Sequence, residues 1–306
     1  MNQHITPPDA GAVSQTPGAT ASAQWKGRRL ATEAIRPVIA LLTDFGHADP
    51  YVAQMKGAIL RRAPHVQLVD ISHECTPFRL EQAGFFLQVS QNHFPRGTVF
   101  VAVVDPGVGT ARRIVCLARD GRLFLAPDNG ILTQLLDEPG HAAVFDLTPS
   151  AEALHAASRT FHARDLFAPL AARLAQGDSP AGIGAALRLE DVVRLASVDP
   201  EQREDGALVL RVLHVDRFGN CILNAPVDSW HGTLAAWARL EVHTADGVAH
   251  PAVLANTYAE LAEGSPLGVL AGSQGYLELA LSRASAARKL GLHPGDILTL
   301  AAGSPA

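Results

Sequence analysis

Three apolar runs, each ending in a polar tip, constrain this chain more than any other feature. Pro37 is followed by VIALLTDF, residues 66–71 read VQLVDI before Ser72-His73, and residues 98–104 read TVFVAVV before Asp105-Pro-Gly-Val-Gly109. A continuous apolar run has no solvated face, so each predicts a strand buried on both sides, as in a parallel sheet covered by helices. The segments between them supply the helices. Residues 51–62 carry Val52, Met55, Ile59 and Leu60 at helical spacing and are stopped by Pro64, and residues 80–92 form a second amphipathic stretch closed by Pro95 and Gly97. Open parallel sheets bind ligands outside the carboxyl ends of their strands, which is where these polar tips fall.

Further along, residues 114–118 and 123–126 predict a hairpin around Asp120-Gly121, followed by Pro127-Asp-Asn-Gly130 and a short helix. Residues 164–176 predict another helix, ended by 177–180, and residues 187–206 turn charged and irregular, as a linker does. Beyond it the text changes to short β-like runs at 207–215, 221–223, 240–243, 267–270 and 276–281, with residues 285–290 as the best helix before a last strand. That pattern predicts a small antiparallel barrel or sandwich. The expected organisation is a mostly parallel α/β sandwich domain over 36–190 and a β domain over 203–304. Residues 1–35, rich in Pro, Gly, Ala, Ser, Thr and Gln, bury too little apolar surface to offset their ordering entropy and are expected to form a flexible tail.

Composition narrows the function classes. The 306 residues are 47 % apolar and 18 % charged, against a soluble average of about 25 % charged, so a natively unfolded chain is excluded. With 25 Lys+Arg against 30 Asp+Glu the formal net charge is −5, which leaves no basic excess for a phosphate backbone and argues against nucleic acid as a partner. No apolar run approaches the roughly 20 residues that span a bilayer, and residues 1–23 lack the basic start and apolar stretch of a secretory signal. Cys75, Cys116 and Cys221 lie far apart with no CxxC spacing, which fits neither a disulfide framework nor zinc and makes a reducing cytoplasm the default.

Six short elements could carry chemistry: TDFG at 43–46, DISH at 70–73, DPGVGTAR at 105–112, PDNG at 127–130, FHARD at 161–165 and DRFGN at 216–220. Any single Asp among them reads first as a turn former. Several at one sheet edge shift that balance. Asp44, at the tip of the first strand, can accept two hydrogen bonds from vicinal ribose hydroxyls. TDFGHAD has no GxGxxG, so a nucleoside without phosphates fits better than a dinucleotide. Asp105, Arg112 and His162 form an acid–base set, with an ion pair plus a capping His as the structural alternative. A metal held by His73, Asp105 and Asp128 has no HxH or HExxH pair behind it, and neither metal nor cofactor is expected.

TDFG, YVAQMKG, DISH, FPRGTVFVAVVDPGVGTARR, PDNGILT, FHARDLFAP, DRFGN and GSQGYLELA, in this order from Val38 to Leu300, resemble the S-adenosylmethionine (SAM) hydroxide adenosyltransferases, a family related to the SAM-dependent fluorinase and chlorinase. The resemblance implies an α/β domain followed by a small β-barrel. It implies homotrimers whose sites lie between the N-terminal domain of one subunit and the C-terminal domain of its neighbour. It implies SAM plus water giving adenosine and L-methionine, with Asp105, Arg112 and His162 as the catalytic triad. Asp44 becomes the ribose carboxylate, Asp216 and Asn220 meet the methionine or adenosine moiety, and Ser273 and Gln274 lie on the adenine side. Phe45, Phe78, Asn129 and Glu278 complete the expected substrate contacts. Two departures favour hydrolysis over halogenation. The halogenases have Tyr where this chain has Asp105, and a halide-coordinating Ser where it has Ala163; an ionised Asp repels a small anion. Phe78 stands where halogenases place Trp. A SAM- or adenosine-binding protein without turnover is the alternative from another class, and it could dispense with the triad.

Overall fold

The structure is a computed structural model that describes residues 36–303, apart from residues 153, 155, 198, 238 and 265 and the side chain of residue 152. The tail expected over residues 1–35 lies outside the described residues. The N-terminal half opens β1 (Val38–Thr43), α1 (Tyr51–Leu60), β2 (Gln67–Ser72), α2 (Leu80–Gln91) and β3 (Val99–Val103), as the periodicities predict. The hairpin β4 (Ile114–Arg119) and β5 (Arg122–Pro127) follows, then α3 (Thr133–Asp137), β6 (Ala142–Asp146) and α4 (Thr148–Glu152). A π-helical turn at Ala163–Phe167 runs into α5 (Ala168–Ala175), and α6 (Pro180–Ile183) and β7 (Ala185–Leu187) complete this half.

The seven strands order as β2-β1-β3-β5-β4-β6-β7. The first four are mutually parallel, and the rest pair antiparallel. β1 shows why its sequence is continuously apolar: Ile39 and Leu41 enter a core with Met55, Ile59, Phe167 and Leu170, while Ala40 and Leu42 enter one with Leu87, Phe100, Phe124 and Leu135. Both faces are covered, so polar groups are confined to the strand ends.

The C-terminal half holds β8 (Glu201–Gln202), β9 (Leu208–Val215), β10 (Cys221–Pro226), α7 (Val227–Ala235), β11 (Leu240–His243), β12 (Ala249–Ala255), β13 (Leu267–Ala271), β14 (Tyr276–Ala280), α8 (Ala286–Leu290) and β15 (Ile297–Ala302). Strands β9 to β15 close into a seven-stranded barrel through the β9–β10 pairing, around Leu210, Leu223, Val269, Leu279 and Leu298. One pairing departs from the antiparallel expectation. β12 and β13 run parallel, joined by a crossing connection that buries Leu261 against Ala255, Leu270 and Ala280. The stretch read as a linker is strapped to the N-terminal half: Val192 is buried, Val193 N–H donates to Asp128 Oδ1 (2.9 Å) and Leu195 N–H to Thr133 Oγ1 (2.9 Å). Among the described residues no helix is long and apolar enough to cross a membrane.

The two halves meet where α2 packs on β9 and β14. Phe85, Leu213 and Ile222 form a small apolar cluster there, and Tyr276 donates its hydroxyl to Gln88 Oε1 (2.9 Å). Gln82, buried at the same junction, accepts from Thr76 N–H through Oε1 (2.7 Å). Its Nε2 therefore donates to His214 Nδ1 (2.8 Å), and burial lowers the His214 pKa below the ordinary histidine value, keeping the ring neutral with its proton on Nε2. Gln82→Ala leaves Thr76 N–H and His214 Nδ1 without this partner. Urea unfolding of the full chain is expected to show a loss of about 1–3 kcal/mol.

Candidate active site

The loop after β3 is shaped by its glycines. Gly109 has φ +82°, and a Cβ there would lie 2.9 Å from the Arg159 carbonyl oxygen, so neither its conformation nor its surroundings admit a side chain. Val108 N–H returns to the Asp105 carbonyl (3.2 Å) and Thr110 N–H to Gly107 (3.1 Å). This tight turn folds Arg112 back onto Asp105, seven residues earlier. Arg112 Nε lies 2.8 Å from both Asp105 oxygens, and Nη2 also donates to Oδ2. Both side chains are nearly inaccessible, at 9 % and 5 %, and such a planar fork holds a carboxylate as Lys cannot. The guanidinium also lies over Phe167, 5.6 Å from the ring centre.

His162 stands at the head of the π-helical turn, and its Nδ1 lies 3.1 Å from Arg112 Nη2. π turns are rare and recur at functional positions. Here Asp165 holds the turn by accepting from Ser158 N–H (2.8 Å) and pairing with Arg164 (2.7 Å). Burial lowers the His162 pKa, the Arg112 charge lowers it further, and Asp105 and Asp165 oppose both. A guanidinium only donates, so Nδ1 of the neutral ring is the acceptor and the proton sits on Nε2.

Asp44, after β1, accepts from Phe78 N–H (3.1 Å), and burial raises its pKa with a smaller push from Asp105. Phe78 adopts φ +67°, a left-handed conformation that costs an L-residue about 1–2 kcal/mol, and its ring is 69 % exposed. Asp44, Phe45, Phe78, Asp105 and His162 line one cavity of about 310 Å³. Tyr51 and Phe161, which sequence reasoning missed, also line it and pack with Phe45 edge to face at 5.2–6.1 Å. In a chain with 6 % aromatics, their closeness to TDFG and FHARD was the available signal.

The remaining expected residues fall elsewhere. Asp216, Asn220, Ser273, Gln274 and Glu278 line a separate cavity of about 1640 Å³ beside the barrel. Asp216 accepts from Asn220 N–H (2.8 Å) and Nδ2 (2.9 Å) and from the N–H of Phe218, whose ring is 79 % exposed. Gly219, with φ +87°, makes this turn, and any Cβ there would collide with Ser285. Glu278 accepts the hydroxyl of Tyr258, a neighbour that sequence reasoning also missed; burial raises the Glu278 pKa and Asp216 adds to it. Asn129 lines neither cavity. Its amide donates to the Val104 carbonyl (2.9 Å) and its oxygen accepts from Ile131 N–H (3.2 Å), so it braces the end of β3 behind Asp105. Nor do the three candidate metal ligands gather: His73 is held by Thr43 and Asp70, and Asp128 by Arg113. Among the described residues no three His, Cys, Asp or Glu side chains are grouped to hold a metal ion.

Comparison with known proteins places this geometry. The family model described as SAM hydroxide adenosyltransferase N-terminal domain matches residues 39–184, and its C-terminal counterpart matches residues 210–299. A Thermus thermophilus protein named (R)-S-adenosyl-L-methionine hydrolase is 41 % identical, over 85 % of this chain and 98 % of its own. A fluorinase from an Actinoplanes species is 30 % identical, over 86 % of this chain and 97 % of its own. The crystal structure of an uncharacterised conserved protein from Thermotoga maritima superposes with a TM-score of 0.78 at 32 % identity, covering 86 % of this chain and 99 % of that one.

The strain at Phe78 is measurable. Phe78→Gly is expected to unfold with a free energy equal to that of the unsubstituted chain or up to about 1 kcal/mol higher, since the ring is exposed and glycine adopts this conformation freely. A loss well beyond 1 kcal/mol in urea would show instead that the ring packs as core.

Proposed function

Because this chain belongs to the SAM hydroxide adenosyltransferase family, we propose that it hydrolyses S-adenosyl-L-methionine at ribose C5′, giving adenosine and L-methionine. The observation that carries this reading is the Asp105–Arg112–His162 constellation, whose Asp105 and His162 line the cavity that holds Asp44. A water oxygen attacks C5′ in line, the C5′–S bond breaks, and its electron pair returns to sulfur as neutral methionine departs. The sulfonium is an activated leaving group, so the site has mainly to position one water and accept its proton. His162 has Nδ1 occupied by Arg112 and its proton on Nε2, which suits it to donate to that water. The proton then goes to the Asp105 carboxylate, whose remaining lone pairs are free of Arg112, and from there to solvent. No metal or cofactor enters this scheme, and EDTA is expected to leave turnover unchanged.

The same reading makes the site a shared one. Asp44, Asp105 and His162 line one cavity while Asp216, Asn220 and Glu278 line another, with exposed aromatic rings at Phe78 and Phe218. Joining the first cavity of one subunit to the second of its neighbour, in a homotrimer, would enclose one nucleoside and bring Asp216 to the methionine ammonium. Cys75, Cys116 and Cys221 are free and buried, their thiols pushed up to about 12, which suits a reducing cytoplasm.

Purified protein incubated with each sulfonium epimer of SAM is expected to release adenosine and methionine, and no halogenated nucleoside in chloride or fluoride. SAM bound but intact over hours would favour the non-catalytic reading. Asp105→Asn and His162→Ala should each lower kcat by about 10²–10⁴ with the fold retained. The acid limb of kcat/KM, which reports the free enzyme, should fall below the ordinary histidine value of 6.5, because burial and then the neighbouring Arg112 charge disfavour protonated His162. Co-expressed Asp105→Asn and Asp216→Ala chains should regain activity at about one quarter of their sites, where an intact half of each meets, whereas sites built within one chain would regain none.

A further inference from the structure

The DISH segment supplies no member of the triad, yet its histidine is wholly buried. His73 Nδ1 lies 2.8 Å from Thr43 Oγ1, and its Nε2 lies 3.1 Å from Asp70 Oδ1. Asp70 Oδ2 in turn accepts from Lys56 Nζ at 2.6 Å. The Nε2 contact is an electrostatic one, not aligned as a hydrogen bond; the carboxylate disfavours a lone pair facing it, so Nε2 carries the imidazole proton, and burial keeps the ring neutral by lowering its pKa. Nδ1 is then an acceptor and Thr43 is the donor. The Thr43 oxygen is left to accept from Phe45 N–H, 3.3 Å away. These contacts converge on Asp70, from the backbone immediately after Asp44 through Thr43 and His73 on one side and from Lys56 at the surface on the other.

The relay sits where two segments are pinned together around Asp44. Gly46 N–H donates to the His73 carbonyl (2.7 Å), Cys75 N–H to the Thr43 carbonyl (3.4 Å) and Phe78 N–H to Asp44 Oδ2 (3.1 Å). His47 packs edge-on against the His73 ring, with centres 5.2 Å apart. A purely apolar contact would serve burial here equally well. What the polar relay adds is direction: it fixes which way the 43–46 backbone turns, and hence where the Asp44 carboxylate aims.

We infer that Thr43, His73 and Asp70 form a positioning relay that orients Asp44, so that His73 governs affinity for the nucleoside end of the substrate without touching it. This inference rests on Asp44 being the ribose carboxylate. It separates binding from chemistry, because the relay reaches the Phe45 backbone beside Asp44 while Asp105, Arg112 and His162 are held by a different loop and the π turn.

The test uses the full chain, with KM and kcat for SAM and the Kd of adenosine as readouts. Thr43→Val keeps the shape of the side chain and removes only the hydroxyl. It is expected to raise KM and the adenosine Kd roughly 3- to 10-fold while kcat stays within about twofold. His73→Asn, which keeps an acceptor near the Nδ1 position, should fall nearer the unsubstituted chain than His73→Gln. Asp44→Asn is the control. If it leaves the adenosine Kd unchanged, the ribose reading of Asp44 is wrong and the inference falls with it. If Asp44→Asn weakens adenosine binding but Thr43→Val does not, the relay positions nothing and the inference alone is overturned. A Thr43→Val chain whose Tm and kcat fall together with its affinity would show a merely structural contact and overturn it equally. Should the His73 variants fail to fold, Thr43→Val decides by itself.

Discussion

Covering a sheet on both faces is the constraint from which the rest of this structure follows. Once Ile39, Leu41, Val99, Val101 and Val103 are committed to one core, and Ala40, Leu42, Phe100 and Ala102 to the other, the interior of β1 and β3 carries no polar side chain, and the one that ends β1, Thr43, is hydrogen-bonded. Polar chemistry is displaced to the ends of the strands. Asp44 leaves β1 and Asp105 leaves β3, two neighbouring parallel strands, so their carboxylates open into one cavity without any further device. The glycine turn after Asp105 and the π turn at His162 then bring Arg112 and the imidazole to the same edge. The covered sheet is the rigid part, and the site is made from what it excludes.

Electrostatics selects the ligand class. Arg112 compensates Asp105 in a nearly inaccessible fork, but Asp44 keeps a raised pKa from burial and from Asp105. In the second cavity Glu278 is raised by burial and by Asp216 as well. Desolvated carboxylates of one sign gain when a cation enters, and a sulfonium with an α-ammonium group is such a cation. A halide gains nothing from these neighbours. The same arrangement that favours SAM disfavours the anion that a halogenase must strip of water, which agrees with the closer likeness to proteins named hydrolases than to those named fluorinases.

How far this was legible in the sequence depends on whether the determining contacts are local. The strand tips could be read because an apolar run that stops at Asp has a local cause, and Asp105 with Arg112 because only the six residues of one turn separate them. His162 is 50 residues from Arg112, and it joined the set through its residue type and the family resemblance, with no local spacing to place it. Asn129, expected at the substrate, lines neither described cavity for a related reason. PDNG is polar and lies at the right edge, but whether an amide faces a ligand or the Val104 carbonyl is decided by packing. Tyr51 read as a helix start and Phe161 only as the first residue of FHARD, since nothing local announces a shared cavity. β12 escaped notice because Pro251 interrupts a half-exposed strand, and α7 because Gly232 and polar residues blur its period. The supposed linker is polar in sequence, yet its Val193 and Leu195 N–H groups are taken up by Asp128 and Thr133 across the fold.

The junction between the halves gives the two cavities their relation. Gln82 holds the segment leading to Phe78 with one end of its amide and the β9 strand leading to Asp216 with the other. Its orientation is not free, because Thr76 presents only a donor and the neutral His214 Nδ1 only a lone pair. Phe85, Leu213 and Ile222 lock the same contact with apolar burial. Within one chain, therefore, the two cavities keep a fixed spacing, and closing a site by bending one half toward the other would require breaking a buried polar bridge and an apolar cluster together. A strained, exposed Phe78 on one side and an exposed Phe218 on the other are then surfaces that a rigid chain cannot cover for itself. Under the shared-site reading that rigidity is useful, since it lets the packing of neighbouring subunits alone set how tightly each nucleoside is enclosed.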